Sequence, residues 1–194
     1  MQPEVDPQAQ IIRCSTCHAV TPRRFLPLFI VTGPSGTGKT TIVDAVQRLL
    51  PQWNAFETDI LWDSGGDWQT AHCNWLRIAD FINQRPNSFP TVLCGTMQPQ
   101  NIRQCDCYPL FSTVHWLALW CRPDILAERL RARPAWRGCT EAFIAEQQRY
   151  AQWLVEYATT AFDPPLTILD TTAAPVAQTA QQIHDWAVER WPCG

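Results

Sequence analysis

The apolar positions of this chain change period several times, and each change marks an element. Residues 25–32, Phe-Leu-Pro-Leu-Phe-Ile-Val-Thr, form an almost unbroken apolar run. Such a run suits a strand buried on both faces. A glycine-rich segment follows. Then Ile42, Val43, Val46, Leu49 and Leu50 recur at helical spacing until Pro51. Residues 54–60 read as a short strand, and 63–70, with Gly65, Gly66 and two Asp, as a loop. Trp75, Ile78, Ala79 and Ile82 give the next helix face. Residues 90–94 are a third strand, ending at Gly95, and 96–111 are irregular or a short helix. A strand over 113–120 precedes a helix over 123–131 with Pro at its first position. A loop over 135–140, a long helix over 141–160, a last strand over 166–169 and a last helix over 176–191 complete the chain. Five apolar strands separated by helices predict a parallel sheet covered on both faces.

Residues 1–24 show neither period. They hold Pro3, Pro7, Pro22 and the basic pair Arg23-Arg24. The expectation is a mobile or loosely packed extension, which leaves 25–194 as one domain. Of 194 residues, 46% are hydrophobic and 17% charged, which excludes a mainly disordered chain. A net charge of −3 gives no electrostatic case for coating nucleic acid or an anionic membrane. No apolar run approaches the roughly 18 residues of a membrane helix. Met1 to Gln10 lacks the basic and apolar segments of a secretory signal. These readings predict a soluble, cytoplasmic protein, monomeric or homodimeric.

Gly33-Pro-Ser-Gly-Thr-Gly-Lys-Thr40 fits G-x-x-x-x-G-K-[ST] at every fixed position, between a buried strand and a helix. Gly33, Gly36 and Gly38 permit backbone angles and close approaches that a side chain would block. The N–H groups of Ser35, Thr37 and their neighbours through Thr41 then point at phosphate oxygens, and the helix N-terminus faces the same anion. Lys39 reaches the β- and γ-phosphates, and Thr40 places its hydroxyl on Mg²⁺. Of 15 basic residues only Lys39 is a lysine. In a chain that otherwise uses Arg, this marks a site that needs a compact ammonium on a flexible stem. A ligand-free glycine turn would explain the glycines but not Lys39 and Thr40.

Glu57 and Asp59 lie at the end of the second strand. Acids at i and i+2 on a strand point to one face, here toward the crevice at the strands' carboxyl ends. One is suited to hold a water on Mg²⁺, which assigns Glu57 to the metal with Thr40. The other, Asp59, is suited to take a proton from an attacking hydroxyl. The third strand ends without an acid, which disfavours a motor-type or AAA-type ATPase. Residues 126–138 carry Arg129, Arg131, Arg133 and Arg137. Arg133 and Arg137 flank Pro134, where a closing loop would bring charge to a transferring phosphoryl group and keep water out. Arg131 suits a solvated face equally well.

The loop at 33–40, the acid-x-acid at 57–59 and the R-x-x-x-R-P-x-x-R segment at 129–137 together resemble the small P-loop kinases. These include nucleoside and nucleoside monophosphate kinases, shikimate kinase and gluconate kinase. The resemblance spans residues 25–191. It implies a three-layer α/β/α fold, a five-stranded parallel sheet in the order 2-3-1-4-5, and an Arg-containing lid at about 133–140. It also implies that Arg129 packs against adenine, with Asp170-Thr-Thr172 beside the base. The arginines that grip a monophosphate acceptor have only Arg77 and Arg103 as candidates. Trp53, Trp62, Trp68 and Trp75 instead enrich the acceptor region, where they suit a stacking acceptor or core packing.

The sequence therefore points to an ATP- and Mg²⁺-dependent phosphotransferase acting on a nucleoside, a nucleotide or another hydroxyl compound. The alternative is a nucleotide-binding regulator or slow NTPase that controls a protein partner. Nine cysteines remain. Cys73, Cys94, Cys121 and Cys139 sit in or near apolar stretches and read as buried thiols. Cys14-Ser-Thr-Cys-His18 resembles half a zinc site, with Cys105 and Cys107 as the other half. Incidental thiols are the preferred reading. His72, His115 and His184 are isolated and carry no assigned role.

Overall fold

The computed structural model describes residues 4–61 and 66–191. The strand that the apolar run predicts is β4 (Leu28–Thr32), numbered after three short strands nearer the N-terminus. All five of its residues are fully buried. Its side chains alternate between two cores. Leu28 and Ile30 join Trp75, Leu76 and Leu154 on one face. Phe29 and Val31 join Ile42, Val46, Ile183 and Trp186 on the other. A strand read by two cores cannot alternate apolar with polar, which is why its pattern is continuous.

The remaining elements follow the predicted alternation. They are α1 (Lys39–Leu49), β5 (Asn54–Glu57), α2 (Trp68–Asn83), β6 (Thr91–Cys94) and the short α3 (Pro99–Ile102). After them come β7 (Val114–Trp120), α4 (Pro123–Arg131), α5 (Glu141–Glu156), β8 (Thr167–Asp170) and α6 (Val176–Arg190). The five strands pair in parallel in the order β5-β6-β4-β7-β8. Counted along this sheet's own strands, that is 2-3-1-4-5. α1 and α6 cover one face, α2 and α5 the other, giving three layers.

Two expectations change. Residues 4–22 hold an antiparallel sheet of β1 (Glu4–Asp6), β2 (Ile11–Arg13) and β3 (Val20–Pro22), where the sequence shows no strand period. Strands of three residues are too short to display one. The basic pair ties this sheet to α2. Arg23 forms an ion pair with Asp80, and Arg24 donates to the carbonyls of Arg85 (2.9 Å) and Ser88 (3.1 Å). Second, α2 begins at Trp68, inside the segment read as a loop. Asp67 is its N-cap, accepting from the N–H groups of Gln69 and Thr70, both at 3.0 Å.

Cys73 is not a free thiol. It forms a disulfide with Cys105, which removes Cys105 from the supposed zinc set. No helix among the described residues is long and apolar enough to cross a membrane.

Gly95 closes β6 against the turn that follows β5. A Cβ there would lie 1.7 Å from the Thr58 hydroxyl oxygen and 2.8 Å from its Cβ. Thr58 is buried and has no room to retreat. Gly95→Ala should therefore lower the unfolding free energy by about 1–3 kcal/mol, the usual cost of overpacking. Thr58→Ala in the same chain should restore part of it. Urea denaturation of the three variants checks both, and a wild-type midpoint for Gly95→Ala would contradict the packing argument.

Candidate active site

The loop after β4 turns where only glycine fits. Gly33 has φ 141°, and a Cβ on it would stand 2.3 Å from the carbonyl oxygen of Leu119. Gly38, at φ 101°, is the N-cap of α1 and brings no side chain to its N–H groups. The first turn of α1 has no acidic residue either. The helix thus opens on uncapped donors at the carboxyl edge of the central strand, an arrangement that attracts an anion.

Lys39 is half-buried and donates to the carbonyls of Gly33 (2.6 Å) and Pro34 (2.9 Å). Loss of solvent around the ammonium lowers its pKa from 10.5 to about 8. The carboxylates of Asp59 and Glu57 oppose the shift, and Arg133 adds to it. Thr40 donates its hydroxyl to the Glu57 carboxylate. Lys39, Thr40, Glu57, Asp59, Arg133 and Arg137 all line one cavity of about 350 Å³.

The two acids converge by a route other than the expected one. β5 ends at Glu57, and residues Thr58–Leu61 form a 3-10 turn, so Asp59 is not two residues along a strand. The turn is held from α2, where the Trp75 indole N–H donates to the Thr58 carbonyl at 2.6 Å. Asp59 nonetheless faces the same cavity as Glu57.

A second cavity, about 240 Å³, lies on the other side of the loop and shares Gly36, Gly38 and Thr41 with the first. Arg129 and Thr171 line it. Arg129 donates to the carbonyls of Thr171 (2.8 Å) and Thr172 (3.1 Å), tying α4 to the loop after β8. The Thr171 hydroxyl reaches the carbonyl of Thr37 at 3.3 Å. Of the residues expected beside a base, Arg129 and Thr171 line this cavity next to the phosphate loop.

Other candidates fall elsewhere. Arg131 makes an exposed two-pronged pair with Glu141, at 2.8 and 2.7 Å. Arg77 donates to Asn74, and neither it nor Arg103 lines the cavity. Trp53 and Trp75 are buried core residues. Trp68 stacks on His72 at 5.9 Å. Trp62 lies outside the described residues. The tryptophan that does line the cavity is Trp136, 77% exposed, with the Arg137 guanidinium 4.6 Å from its ring centre. Cys94 also lines it, and burial pushes its thiol up to about 12, so it stays neutral.

The sequence reading predicted the helix that is α5 but gave its side chains no part in the site. Gln147, buried in that helix, accepts from the N–H of Ser35 at 2.7 Å. Tyr150 hydrogen-bonds the Thr32 hydroxyl (3.0 Å) and donates to the Met97 carbonyl (3.1 Å). Burial raises its pKa, so the phenol keeps its proton. Both side chains also line a cavity of about 490 Å³, with Gln98, Gln100, Glu146 and Arg149. This cavity shares Thr96 with the phosphate cavity. The Thr96 hydroxyl bonds the Gly33 carbonyl at 3.2 Å, and its own carbonyl meets His72 Nε2 at 3.2 Å. Burial lowers the pKa of His72, keeping it neutral.

The chain has a three-layer α/β/α fold with a P-loop sequence between its central strand and the helix that follows. A family model described as the P-loop containing region of AAA domain matches residues 14–57. That stretch runs from the turn before β3 through β4, the loop, α1 and β5, and ends before β6. Solved structures extend the likeness to the whole fold. A sugar kinase from Janibacter sp. HTCC2649 superposes with a TM-score of 0.55 at 17% identity, over 85% of this chain and 93% of its own. A gluconokinase from Sinorhizobium meliloti 1021 gives 0.53 at 16%, over 87% and 99%. Shikimate kinase from Acinetobacter baumannii gives 0.52 at 14%, over 87% and 96%. No curated protein sequence matches this chain. The likeness to small P-loop kinases therefore holds at the level of fold.

The Lys39 pKa carries a stability consequence. The unfolded chain keeps the Lys proton up to about pH 10.5, and the folded one only to about pH 8. Below pH 8 the fold bears the cost of a charged, poorly solvated ammonium. Between the two values the unfolded state binds more protons, so wild-type stability rises with pH. Lys39→Met should therefore stabilise the nucleotide-free protein by about 1–3 kcal/mol at pH 7. The difference should shrink between pH 8 and 10.5. Urea titrations at pH 7, 8.5 and 10 measure it, and a gap that widens with pH would contradict the assignment.

Proposed function

We propose that this chain transfers the γ-phosphate of ATP to a hydroxyl group of a small molecule. The observation that carries the proposal is the convergence of Lys39, Thr40, Glu57, Asp59, Arg133 and Arg137 on one cavity beside an uncapped helix N-terminus. Thr40 and Glu57 offer hard oxygen donors, which suit Mg²⁺. Bound there, the ion would neutralise phosphate charge and orient the β- and γ-oxygens. The protein groups do the rest. Asp59 accepts the acceptor's hydroxyl proton as that oxygen bonds to the γ-phosphorus. The bond from phosphorus to the β–γ bridging oxygen breaks, and ADP leaves with the electron pair. Lys39, Arg133 and Arg137 carry cations to the oxygens on which charge spreads. The Arg129 cavity takes the base, as the resemblance implies.

The acceptor fits the cavity beside Thr96. Its walls combine amide side chains (Gln98, Gln100, Gln147), one acid (Glu146), one guanidinium (Arg149) and the rings of Tyr150 and Trp153. Dense donors and acceptors around an apolar plate suit a polyhydroxylated ring, a sugar or a nucleoside. The kinases among the structurally similar proteins support this reading, including deoxyadenosine kinase from M. mycoides, with a TM-score of 0.50 at 13% identity.

The test is ADP release across a panel of sugars, sugar acids and nucleosides, with an acceptor-free control. Acceptor-dependent release supports transfer, and equal release without acceptor identifies an NTPase. With an active acceptor, Asp59→Asn should cut transfer by roughly 10²-fold or more while nucleotide affinity changes little. Glu57→Gln should raise the Mg²⁺ concentration needed for half-maximal rate. Lys39→Ala and Lys39→Arg should both abolish transfer, the latter because a guanidinium fork is too bulky for the loop. An Asp59→Asn protein with full transfer activity would remove the acid from its assigned role.

A further inference from the structure

Lys39 is held by two carbonyls, and each is tied to a residue in the wall of the cavity proposed for the acceptor. The Gly33 carbonyl, 2.6 Å from the ammonium, also accepts from the Thr96 hydroxyl at 3.2 Å. The Pro34 carbonyl accepts from Lys39 and from the Thr37 hydroxyl, both at 2.9 Å. That carbonyl belongs to the same peptide unit as the Ser35 N–H, which donates to Gln147 Oε1 at 2.7 Å. Thr96 and Gln147 line the acceptor cavity, while Lys39 lines the phosphate cavity.

A peptide unit is planar, so holding its N–H fixes where its carbonyl points. An accepted N–H also polarises the unit and makes the carbonyl a stronger acceptor. Gln147 is placed to do both. It is 8% exposed, and Tyr150, one turn further along α5, fastens the helix to the Thr32 hydroxyl (3.0 Å) and the Met97 carbonyl (3.1 Å). Pro34 has no N–H, so Ser35 carries the first one after Gly33 that α5 can hold. Burying an amide costs free energy unless it is hydrogen-bonded, and a position that needed only bulk would be served as well by an apolar side chain.

We propose that Gln147 is a positioning residue for Lys39: from the wall of the acceptor cavity it sets the Pro34–Ser35 peptide, whose carbonyl orients the ammonium toward the phosphate. The role in transfer rests on the reading of the two cavities as donor and acceptor sites. The other groups that face Lys39 come from separate elements. They are Glu57 at the end of β5, Asp59 on the turn after it, the neutral Cys94 thiol on β6 and Arg133 after α4. None of them is altered by a substitution on α5, so a change in Lys39 caused at position 147 has to travel through the peptide.

The test reads Lys39 directly, because it is the only lysine of the chain. Protein made with isotopically labelled lysine gives one set of side-chain resonances, and the Cε shift follows the ammonium through its titration. The wild-type midpoint should lie near pH 8. Gln147→Met keeps the length of the side chain but leaves the Ser35 N–H without its acceptor. Its midpoint should fall by about half a pH unit or more. Its affinity for the Mg²⁺ complex of a β,γ-imido analogue of ATP should fall roughly 3- to 10-fold. Gln147→Glu keeps an oxygen on that N–H and adds an anion, so its midpoint should rise, and it decides the matter where Gln147→Met does not fold. Gln148→Met removes the next amide on α5, which donates to the Pro123 carbonyl at 2.8 Å, and should match the wild type in both readings. A Gln147→Met midpoint at or above the wild-type value would overturn the inference. So would undiminished affinity in that variant, an unmoved midpoint in Gln147→Glu, or the same losses in Gln148→Met. The titration needs neither nucleotide nor acceptor. A protein that shows these shifts but transfers no phosphate would therefore lose the proposed function and keep Gln147 as the residue that sets Lys39.

Discussion

An ammonium has to sit at Lys39 before any phosphate arrives, in a place where water does not reach it freely. Most of the site can be read as the response to that constraint. The carbonyls of Gly33 and Pro34 turn inward to accept from it. The carboxylates of Asp59 and Glu57 face it across the cavity, and their charges oppose the desolvation that lowers its pKa. The compensation is incomplete, since the ammonium still titrates near pH 8. An incompletely satisfied cation beside uncapped helix N–H groups is a site with unspent attraction for a polyanion.

The carboxylates respond to the same constraint only because the scaffold fixes them. Asp59 rides on a 3-10 turn, a weak element by itself. Three contacts pin that turn. Trp75 reaches up from α2 to the Thr58 carbonyl, Thr58 is buried, and Gly95 lets the end of β6 close on the Thr58 side chain. A carboxylate on such a turn keeps its place only when neighbours fix the turn, and here a core tryptophan does so. On the other side α5 grips the phosphate loop by Gln147 and β4 by Tyr150. Ser35 N–H, a donor that a phosphate would claim, is already given to an amide. Phosphate binding and the position of Gln147 in the neighbouring cavity are therefore linked through one hydrogen bond.

What was legible in the sequence follows from how local its cause is. The run over 25–32 and the glycines after it announce themselves, because burial on two faces and positive φ each demand particular residues in place. The five strands and their helices follow from the same logic. Glu57 and Asp59 were found as a pair, but the strand geometry expected to join them stops at Glu57, and tertiary contacts do the joining. Trp53 and Trp75 belong to the core, as the packing alternative for them allowed. Gln147 and Tyr150 gave no signal, since a polar residue in an amphipathic helix looks the same whether it meets solvent or a loop 112 residues away. The small sheet stayed hidden because its strands are three residues long and its attachment depends on Asp80 and two carbonyls of a distant turn.

The segment after α4 adds the remaining cations of the cavity. Arg133 and Arg137 share a cavity with Lys39, and Arg133 already makes the ammonium harder to keep. Three cations line this cavity of about 350 Å³ against two carboxylates, Glu57 and Asp59, so its cationic side chains outnumber its anionic ones. Arg137 meanwhile lies over the exposed ring of Trp136, which offers it a π-face instead of an anion. On the proposed function, a triphosphate would supply the anion that this excess of cations and the helix N-terminus lack. On the same proposal, drawing the segment at 133–137 onto that anion would also keep water from the phosphoryl group, so that water exclusion would follow from ligand binding.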